Sequence, residues 1–388
     1  MNFELSDQQL AFQQAAKDFA TGELAPHAAE WDEKKIFPVD VIKATGELGF
    51  CGIYSPEAYG GLGLSRIDTA IILEELARGC VSTAAFLSIH NMATWMLCNW
   101  GSDGVKAQWA AAMTAGEKLG SYCLTEPGSG SDAASLKTTA KRDGDHFIIN
   151  GSKMFISGAG ATDMLIVMTR TGSQSDGPKA ITAFAIPADS KGIEYGKNEH
   201  KMGWNSQPTR AISFDDVRVP AENILGKEGE GFKIAMQGLD GGRINIATCS
   251  IGAAQQCLTL GAEYIQQREQ FGKPVSHFQA SQFKLADMAT ELVAARHMVR
   301  LGAFKLDSNH PDKTTYCAMA KRFATDAGFK ICNDALQLHG GYGYLKEYPI
   351  ERFVRDTRVH QILEGTNEIM RVITARKLLA EGGTEAIQ

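Results

Sequence analysis

The spacing of apolar residues changes period twice along this chain, and that double switch restricts the fold more than any other feature. From Ser6 to about Gly116 apolar side chains recur three to five residues apart, as at Leu10, Ala15 and Phe19, and again through Ile71, Leu73, Leu76 and Ala77. That spacing builds one-sided helices. Pro56 and Gly60-Gly61-Leu62-Gly63 punctuate between them. Near Leu119 the period falls to two. Lys137–Arg142, then Asp143-Gly144, then His146–Asn150 reads as a hairpin, and Met164–Thr169, Ile181–Pro187 and Ala211–Asp215 add strands. From Gly229 the helical period returns, with two long helices expected over Phe278–Leu306 and Asp312–Leu338, parted by Ser308-Asn309-His310-Pro311. The predicted class is α+β: an N-terminal all-α domain (1–118), a middle β-barrel or sandwich domain (119–228) and a C-terminal four-helix-bundle domain (229–388).

A length of 388 residues is too great for one simple core and suits several domains sharing interfaces. The net charge of −6, with no local Lys/Arg cluster, argues against nucleic acid, and no apolar run reaches the roughly 18 residues of a membrane span. The eight cysteines form no CxxC pair and several lie in apolar helical stretches, so buried free thiols are expected. Leu5-Ser6-Asp7-Gln8-Gln9 reads as a helix start, with Ser6 as N-cap and Gln9 closing a capping box. Folded structure beginning so early fits a bacterial cytoplasmic protein, and equally a mitochondrial matrix protein whose leader has been removed. Asn150-Gly151-Ser152, a glycosylation sequon in form, is expected to be a turn.

Four segments carry candidate chemistry, and each has a plainer reading. Tyr122-Cys123-Leu124-Thr125-Glu126-Pro127-Gly128-Ser129-Gly130-Ser131-Asp132 superficially fits a dinucleotide fingerprint. The chain then enters a hairpin, not a crossover helix, so a Rossmann unit is rejected. The segment still offers small residues and backbone N–H groups for close approach to a flat ring or a phosphate; alone it serves equally as a β-turn. In Leu363-Glu364-Gly365-Thr366-Asn367-Glu368 the glycine breaks the pattern, Thr366 caps a new helix and Glu364 waits just before it. An isolated Glu there is ordinarily a solvated residue. Gln337-Leu338-His339-Gly340-Gly341 looks like a helix end and tight turn, with Gln337 and His339 able to offer hydrogen bonds. Asp240-Gly241-Gly242-Arg243, opening the bundle, and Arg268 ahead of Phe271 suit a diphosphate or a purine, or simply pair and face solvent. No P-loop, HExxH or GxSxG motif occurs, and the nine histidines lack ligand spacing. Metal, kinase and hydrolase chemistry therefore finds no support.

Taken together and in order, these segments, with Leu5-Ser6-Asp7 and Asn150–Lys153 followed by Phe155-Ile156-Ser157, resemble the acyl-CoA dehydrogenase family from Leu5 to about Leu379. The resemblance implies FAD between the β domain and the bundle. Tyr122, Cys123, Leu124, Thr125, Gly130, Ser131, Phe155, Ile156 and Ser157 would line the flavin ring and ribityl chain. Thr366, Asn367 and Glu368 would lie near its phosphates, while Arg268, Phe271, Gln279, Gln337, Leu338, His339, Gly340 and Gly341 would reach the FAD of a neighbouring subunit in a homotetramer. Ser131, Asp240, Gly241, Gly242, Arg243 and Gly365 would meet the acyl-CoA thioester, and Glu364 matches the catalytic base. Some members carry that base near the position of Gly242, and many have Trp where Phe155 stands. Lys201–Arg210 and Gly241–Ala247 are most similar to the isobutyryl branch, which serves valine breakdown.

The implied reaction is α,β-dehydrogenation of a short, branched acyl-CoA, with electrons passing on to electron-transferring flavoprotein. Butyryl- and 2-methylbutyryl-CoA dehydrogenase, or an acyl-CoA oxidase of the same architecture, are neighbouring readings, and a non-enzymatic helical scaffold is the remote one. A carboxylate abstracting a thioester α-proton needs a dry site that lifts its pKa, and fixed donors for the developing enolate. A loop-borne Glu followed by Gly can offer both.

Overall fold

The computed structural model describes residues 4–380. It opens with helix α1 (Asp7–Phe19), whose first turn is closed as the sequence requires: Gln9 N–H donates to Ser6 Oγ (3.3 Å) and Ser6 N–H to Gln9 Oε1 (3.1 Å). Short helices α2 (Ala28–Lys34) and α3 (Val39–Ala44) lead to α4 (Arg66–Gly79), α5 (Val81–Trp100) and α6 (Asp103–Thr114). A second capping box, Ser65 with Asp68, starts α4. Every residue of α4 from Thr69 to Ala77 is buried, because this helix runs between the N-terminal layer and the C-terminal bundle.

The middle region is a single eight-stranded sheet: β1 (Gly120–Cys123), β2 (Thr139–Asp143), β3 (His146–Ser157), β4 (Met164–Arg170), β5 (Ile181–Pro187), β6 (Ile193–Tyr195), β7 (Thr209–Pro220) and β8 (Ile224–Leu225). The order β6-β7-β3-β2-β4-β5-β8, with β1 parallel to β4, does not close on itself. Its two halves meet at the single pair Thr139–Arg170 and fold over a common core of Phe147, Ile149, Ile212 and Phe214 against Leu165, Val167, Phe184 and Ile186. Of the two expected forms, the sheet is therefore the sandwich. The hairpin β2–β3 turns at Gly144 (φ 62°), where the sequence placed it.

The expected turn at Asn150-Gly151-Ser152 is instead a bulge inside β3. Register against β7 slips between Ile149 and Gly151, and Gly151 sits at φ 144° with Thr138 so close that a Cβ would lie 2.7 Å away. Asn150 and Asp216 bridge the bulge (Nδ2 to Oδ1, 2.8 Å). Turn-forming residues serve a bulge as well as a reversal, because both need one residue in an unusual conformation.

The C-terminal region holds three long helices where two were expected: α7 (Gly231–Gln267), α8 (Gln279–Asp307) and α9 (Lys313–His339), with α10 (Ile350–Arg358) and α11 (Asn367–Ala380) completing the bundle. A short hairpin, β9 (Glu269–Gln270) and β10 (Lys273–Pro274), joins α7 to α8. The 37-residue α7 runs unbroken through Gly238, Gly241 and Gly242, so Asp240–Arg243 lies inside a helix and not at its start. These glycines are positions of close approach: a Cβ at Gly252 would strike the backbone of Glu74, and one at Gly241 the Arg66 side chain. Tertiary packing outweighs the weak helix propensity of glycine. All eight cysteines are free and buried, as expected. Among the described residues no helix is long and apolar enough to cross a membrane, and no cluster of metal-ligating side chains occurs.

Candidate active site

Between the 310 turn Val359–Gln361 and α11 the chain makes a tight reversal in which Glu364 and Gly365 both adopt left-handed backbone, at φ 55° and 88°. For a glutamate that conformation costs of order 1–3 kcal/mol and persists only where the surroundings impose it. Of the seven non-glycine residues with positive φ among the described residues, three (Phe155, Phe271 and Glu364) are candidate site residues. The imposing contacts are visible. Lys321, fully buried on α9, donates to the Gly365 carbonyl (2.8 Å) and to Asn367 Oδ1 (2.9 Å). Asn367 donates in turn to Thr325 (2.9 Å) and Asp326 (2.7 Å), and Thr366 Oγ1 caps α11 by accepting from Ile369 N–H.

The reversal turns the Glu364 side chain inward. The residue as a whole is only partly buried, but its Oε2 is shut off from solvent and has no hydrogen-bond partner. Burial pushes the carboxyl up to about 7, with the Arg243 and Lys321 charges pulling the other way. Burial likewise brings the Lys321 ammonium down to about 7. Directly facing the carboxylate is Gly242 of α7, where a Cβ would lie 2.5 Å from Oε2. The absent side chain is what leaves the carboxylate its room. Arg243, next along α7, directs Nε toward the Glu364 carbonyl (3.4 Å) and pairs with Asp240 (2.7 Å), which also accepts from Thr314 (2.7 Å). Among the described residues no acceptor takes the backbone N–H of Glu364.

The second group converges from the sheet. Tyr122 and Cys123 end β1, Leu124, Thr125, Gly130 and Ser131 come after it on the loop, and Phe155, Ile156 and Ser157 end β3. Met154 N–H donates to the Thr125 carbonyl (2.8 Å), and Ser121 Oγ to the Ser157 carbonyl (2.7 Å), which holds the two segments side by side. Beneath them lies a buried ion pair that sequence reasoning missed. Lys153 donates to Glu126 Oε1 (2.8 Å) and to the Leu124 carbonyl (3.1 Å), while Glu126 accepts from the N–H groups of Lys137 (2.6 Å) and Thr138 (2.9 Å). The Tyr122 hydroxyl is buried without a partner, and its pKa is raised by burial and by the nearby Glu364 charge. The two groups therefore meet at Tyr122 and Glu364.

The residues present fit a large flat cofactor. Phe155 is 62% exposed on left-handed backbone, the space around Gly128 and Gly130 is open to beyond 4 Å, and the Tyr122 hydroxyl lacks a partner. Ser131 is exposed on that loop, and no hydrogen bond joins it to Asp240 or Arg243.

The third group lies apart. Arg268, Gln337, Leu338, His339, Gly340 and Gly341 line a surface cleft of about 470 Å³ that contains no residue of the first two groups. His339 stacks on Tyr264 with ring centroids 4.3 Å apart, Gln279 begins α8, and Phe271, on the hairpin, is 93% exposed. One chain thus brings Glu364, the α7 glycines and Tyr122 at the end of β1 together and leaves this cleft separate.

Sequence profiles described as the N-terminal, middle and C-terminal domains of acyl-CoA dehydrogenase match residues 6–117, 121–217 and 229–379. The mitochondrial isobutyryl-CoA dehydrogenase of Bos taurus is 53% identical over 97% of this chain and 90% of its own length. The solved butyryl-CoA dehydrogenase of Megasphaera elsdenii superposes with a TM-score of 0.94 at 41% identity, covering 98% of this chain and all of the other. A chain of the structure described as the electron transferring flavoprotein of Acidaminococcus fermentans does so with a TM-score of 0.95 at 41% identity and the same coverage. The three-region architecture, the matched profiles and these relatives agree: the chain belongs to the acyl-CoA dehydrogenase family of flavin-dependent enzymes.

Proposed function

We propose that this protein oxidises a short, branched acyl-CoA of the isobutyryl type to its 2,3-enoyl form, with Glu364 removing the α-proton. The observation that carries the reading is the Glu364 carboxylate: its Oε2 is shut off from solvent without a partner, a left-handed reversal turns it inward, and burial pushes it up to about 7. A carboxylate so placed is a stronger base than one in water. Its own backbone N–H, which has no acceptor among the described residues, is available to the thioester oxygen as enolate charge develops. Arg243 holds the loop carbonyl and Asp240, and Lys321 fixes the turn from below, so the base keeps its aim.

FAD, when bound, supplies the hydride acceptor for the β-carbon. Its ring and ribityl chain would be held by Tyr122–Ser131 and Phe155–Ser157, and its phosphates would lie near Thr366–Glu368. Helix α11 begins there, and its unpaired N–H groups favour anions. The resemblance that assigns Arg268 and Gln337–Gly341 to a neighbouring subunit's cofactor, in a homotetramer, agrees with their lying in a cleft apart from the Glu364 group. Phe283 and Phe304 on α8 and Phe271 on the β9–β10 hairpin stand exposed as apolar surface for such an assembly. Electron-transferring flavoprotein as acceptor is supported by the Acidaminococcus neighbour. The domains divide near residues 118 and 228 in this reading.

The isobutyryl preference draws on the Bos taurus relative. Anaerobic mixing of the flavin-loaded protein with a panel of acyl-CoA thioesters tests it. Isobutyryl-CoA should bleach the flavin fastest; a clear advantage for a straight eight-carbon chain would overturn the assignment.

A further inference from the structure

Beside the α7 glycines lies a buried arginine that the reaction does not use. Arg66, the first residue of α4, is 7% exposed. Its backbone N–H donates to Asp307 (2.8 Å), but no carboxylate among the described residues pairs with its guanidinium, and Nη1 has no hydrogen-bond partner. Cζ lies 3.4 Å above the Tyr54 ring and 5.2 Å from that of Trp95. These aromatic faces offset part of the cost of burying a charge and leave its N–H edge unsatisfied.

That edge points at α7. A Cβ at Gly241 would lie 2.6 Å from Arg66 Nη1, and one at Gly242 would lie 2.5 Å from Glu364 Oε2. Two consecutive missing side chains therefore let the Arg66 guanidinium pack onto α7 at one position and the Glu364 carboxylate at the next. Asn245, a turn further on, donates to the Tyr54 hydroxyl (3.4 Å) and leaves its own Oδ1 without a partner, so the Arg66 wall is polar on more than one atom.

We propose that Arg66 is a specificity-determining residue: its unpaired guanidinium forms a polar wall of the acyl site beside Glu364, admitting short acyl groups and rejecting longer apolar tails. This rests on the dehydrogenase reading for the identity of the ligand. A short acyl group leaves the N–H edge to water. A longer apolar tail displaces that water and buries the donors unsatisfied, a penalty that hydrophobic contact on the remaining walls does not recover.

Binding of the non-reactive 3-thia analogues of butyryl-, hexanoyl- and octanoyl-CoA, measured by calorimetry on the flavin-loaded protein, tests the wall without turnover. The wild type should favour the short analogue, and Arg66→Met should shift the octanoyl-to-butyryl affinity ratio toward the long chain by at least ~10-fold. Arg66→Lys, which keeps a cation, should stay within ~3-fold of the wild-type ratio. Should Arg66→Met fail to fold, Arg66→Leu supplies the apolar, neutral wall and should shift the ratio in the same direction. An unchanged ratio in the neutral variant overturns the proposal. So does tightest wild-type binding of a thioester with a terminal carboxylate that loses its advantage in Arg66→Met, since Arg66 would then be an anion receptor. An Arg66-dependent binding profile without flavin bleaching by any acyl-CoA leaves the wall standing and removes the dehydrogenase reading.

Discussion

Substituting Gly242 with alanine separates stability from catalysis at a single methyl group. The added Cβ would lie 2.5 Å from Glu364 Oε2 and 3.0 Å from its Cδ, where non-bonded heavy atoms settle near ~3.5 Å. The carboxylate must therefore retreat by roughly 1 Å, a misplacement that can cost about 10²-fold in rate when the displaced atom takes the proton. Stability should move the other way. Gly242 sits in the interior of α7, where alanine is better than glycine by ~0.5–1 kcal/mol, and the neighbour that must yield is a side-chain end. The assay is anaerobic single-turnover reduction of the bound flavin by isobutyryl-CoA, paired with thermal unfolding of the same sample. Reduction should slow by about 10²-fold while the melting temperature holds or rises. Reduction within ~3-fold of wild type would refute the claim that the Gly242 gap is what positions the base.

The same geometry sets three further outcomes. Because burial holds the Glu364 carboxyl at about 7, kcat/KM should fall as pH drops through that value. The folded state binds this proton more tightly than the unfolded chain, so the stability it contributes is present below the ordinary value of 4.5 and is lost as pH rises toward 7; Glu364→Gln should abolish that slope in urea unfolding. Lys153→Met strands the Glu126 carboxylate in a buried site and should cost ~3–5 kcal/mol in urea unfolding and weaken flavin retention, with partial recovery in the Lys153→Met, Glu126→Leu pair. Arg268→Ala should lower flavin affinity without changing the α-proton step, read by flavin fluorescence on dilution, because its cleft holds no residue of the Glu364 group.

Local chemistry was legible where a few adjacent residues decide the outcome. Ser6 with Gln9, Gly144 in its hairpin and Thr366 at the head of α11 each act within four residues, and the backbone took the expected form. The α, β, α order was legible because apolar period depends on a whole segment. What the sequence hid was set by partners far along the chain. Gly241 and Gly242, placed by the sequence at the opening of the bundle, are contacts of α7 with Arg66 and Glu364, and that spacing is invisible until the helices cross. Gly151 read as a turn for the same reason. Lys321 stands among Ala318, Ala320, Ala324 and Thr325 on a buried helical face; a charge in an apolar stripe was the available signal, and its acceptors at 365 and 367 were not. Lys153 and Arg66 differ from surface cations only in what packs over them.

If one dry carboxylate at position 364 starts the oxidation, its removal must stop the flavin from being reduced. The most direct test is rapid anaerobic mixing of isobutyryl-CoA with flavin-loaded wild type and Glu364→Gln, tracking the visible flavin band. The variant should keep its flavin and its melting temperature yet bleach at least ~10²-fold more slowly. A Glu364→Gln protein that bleaches at the wild-type rate would contradict the role assigned to this side chain.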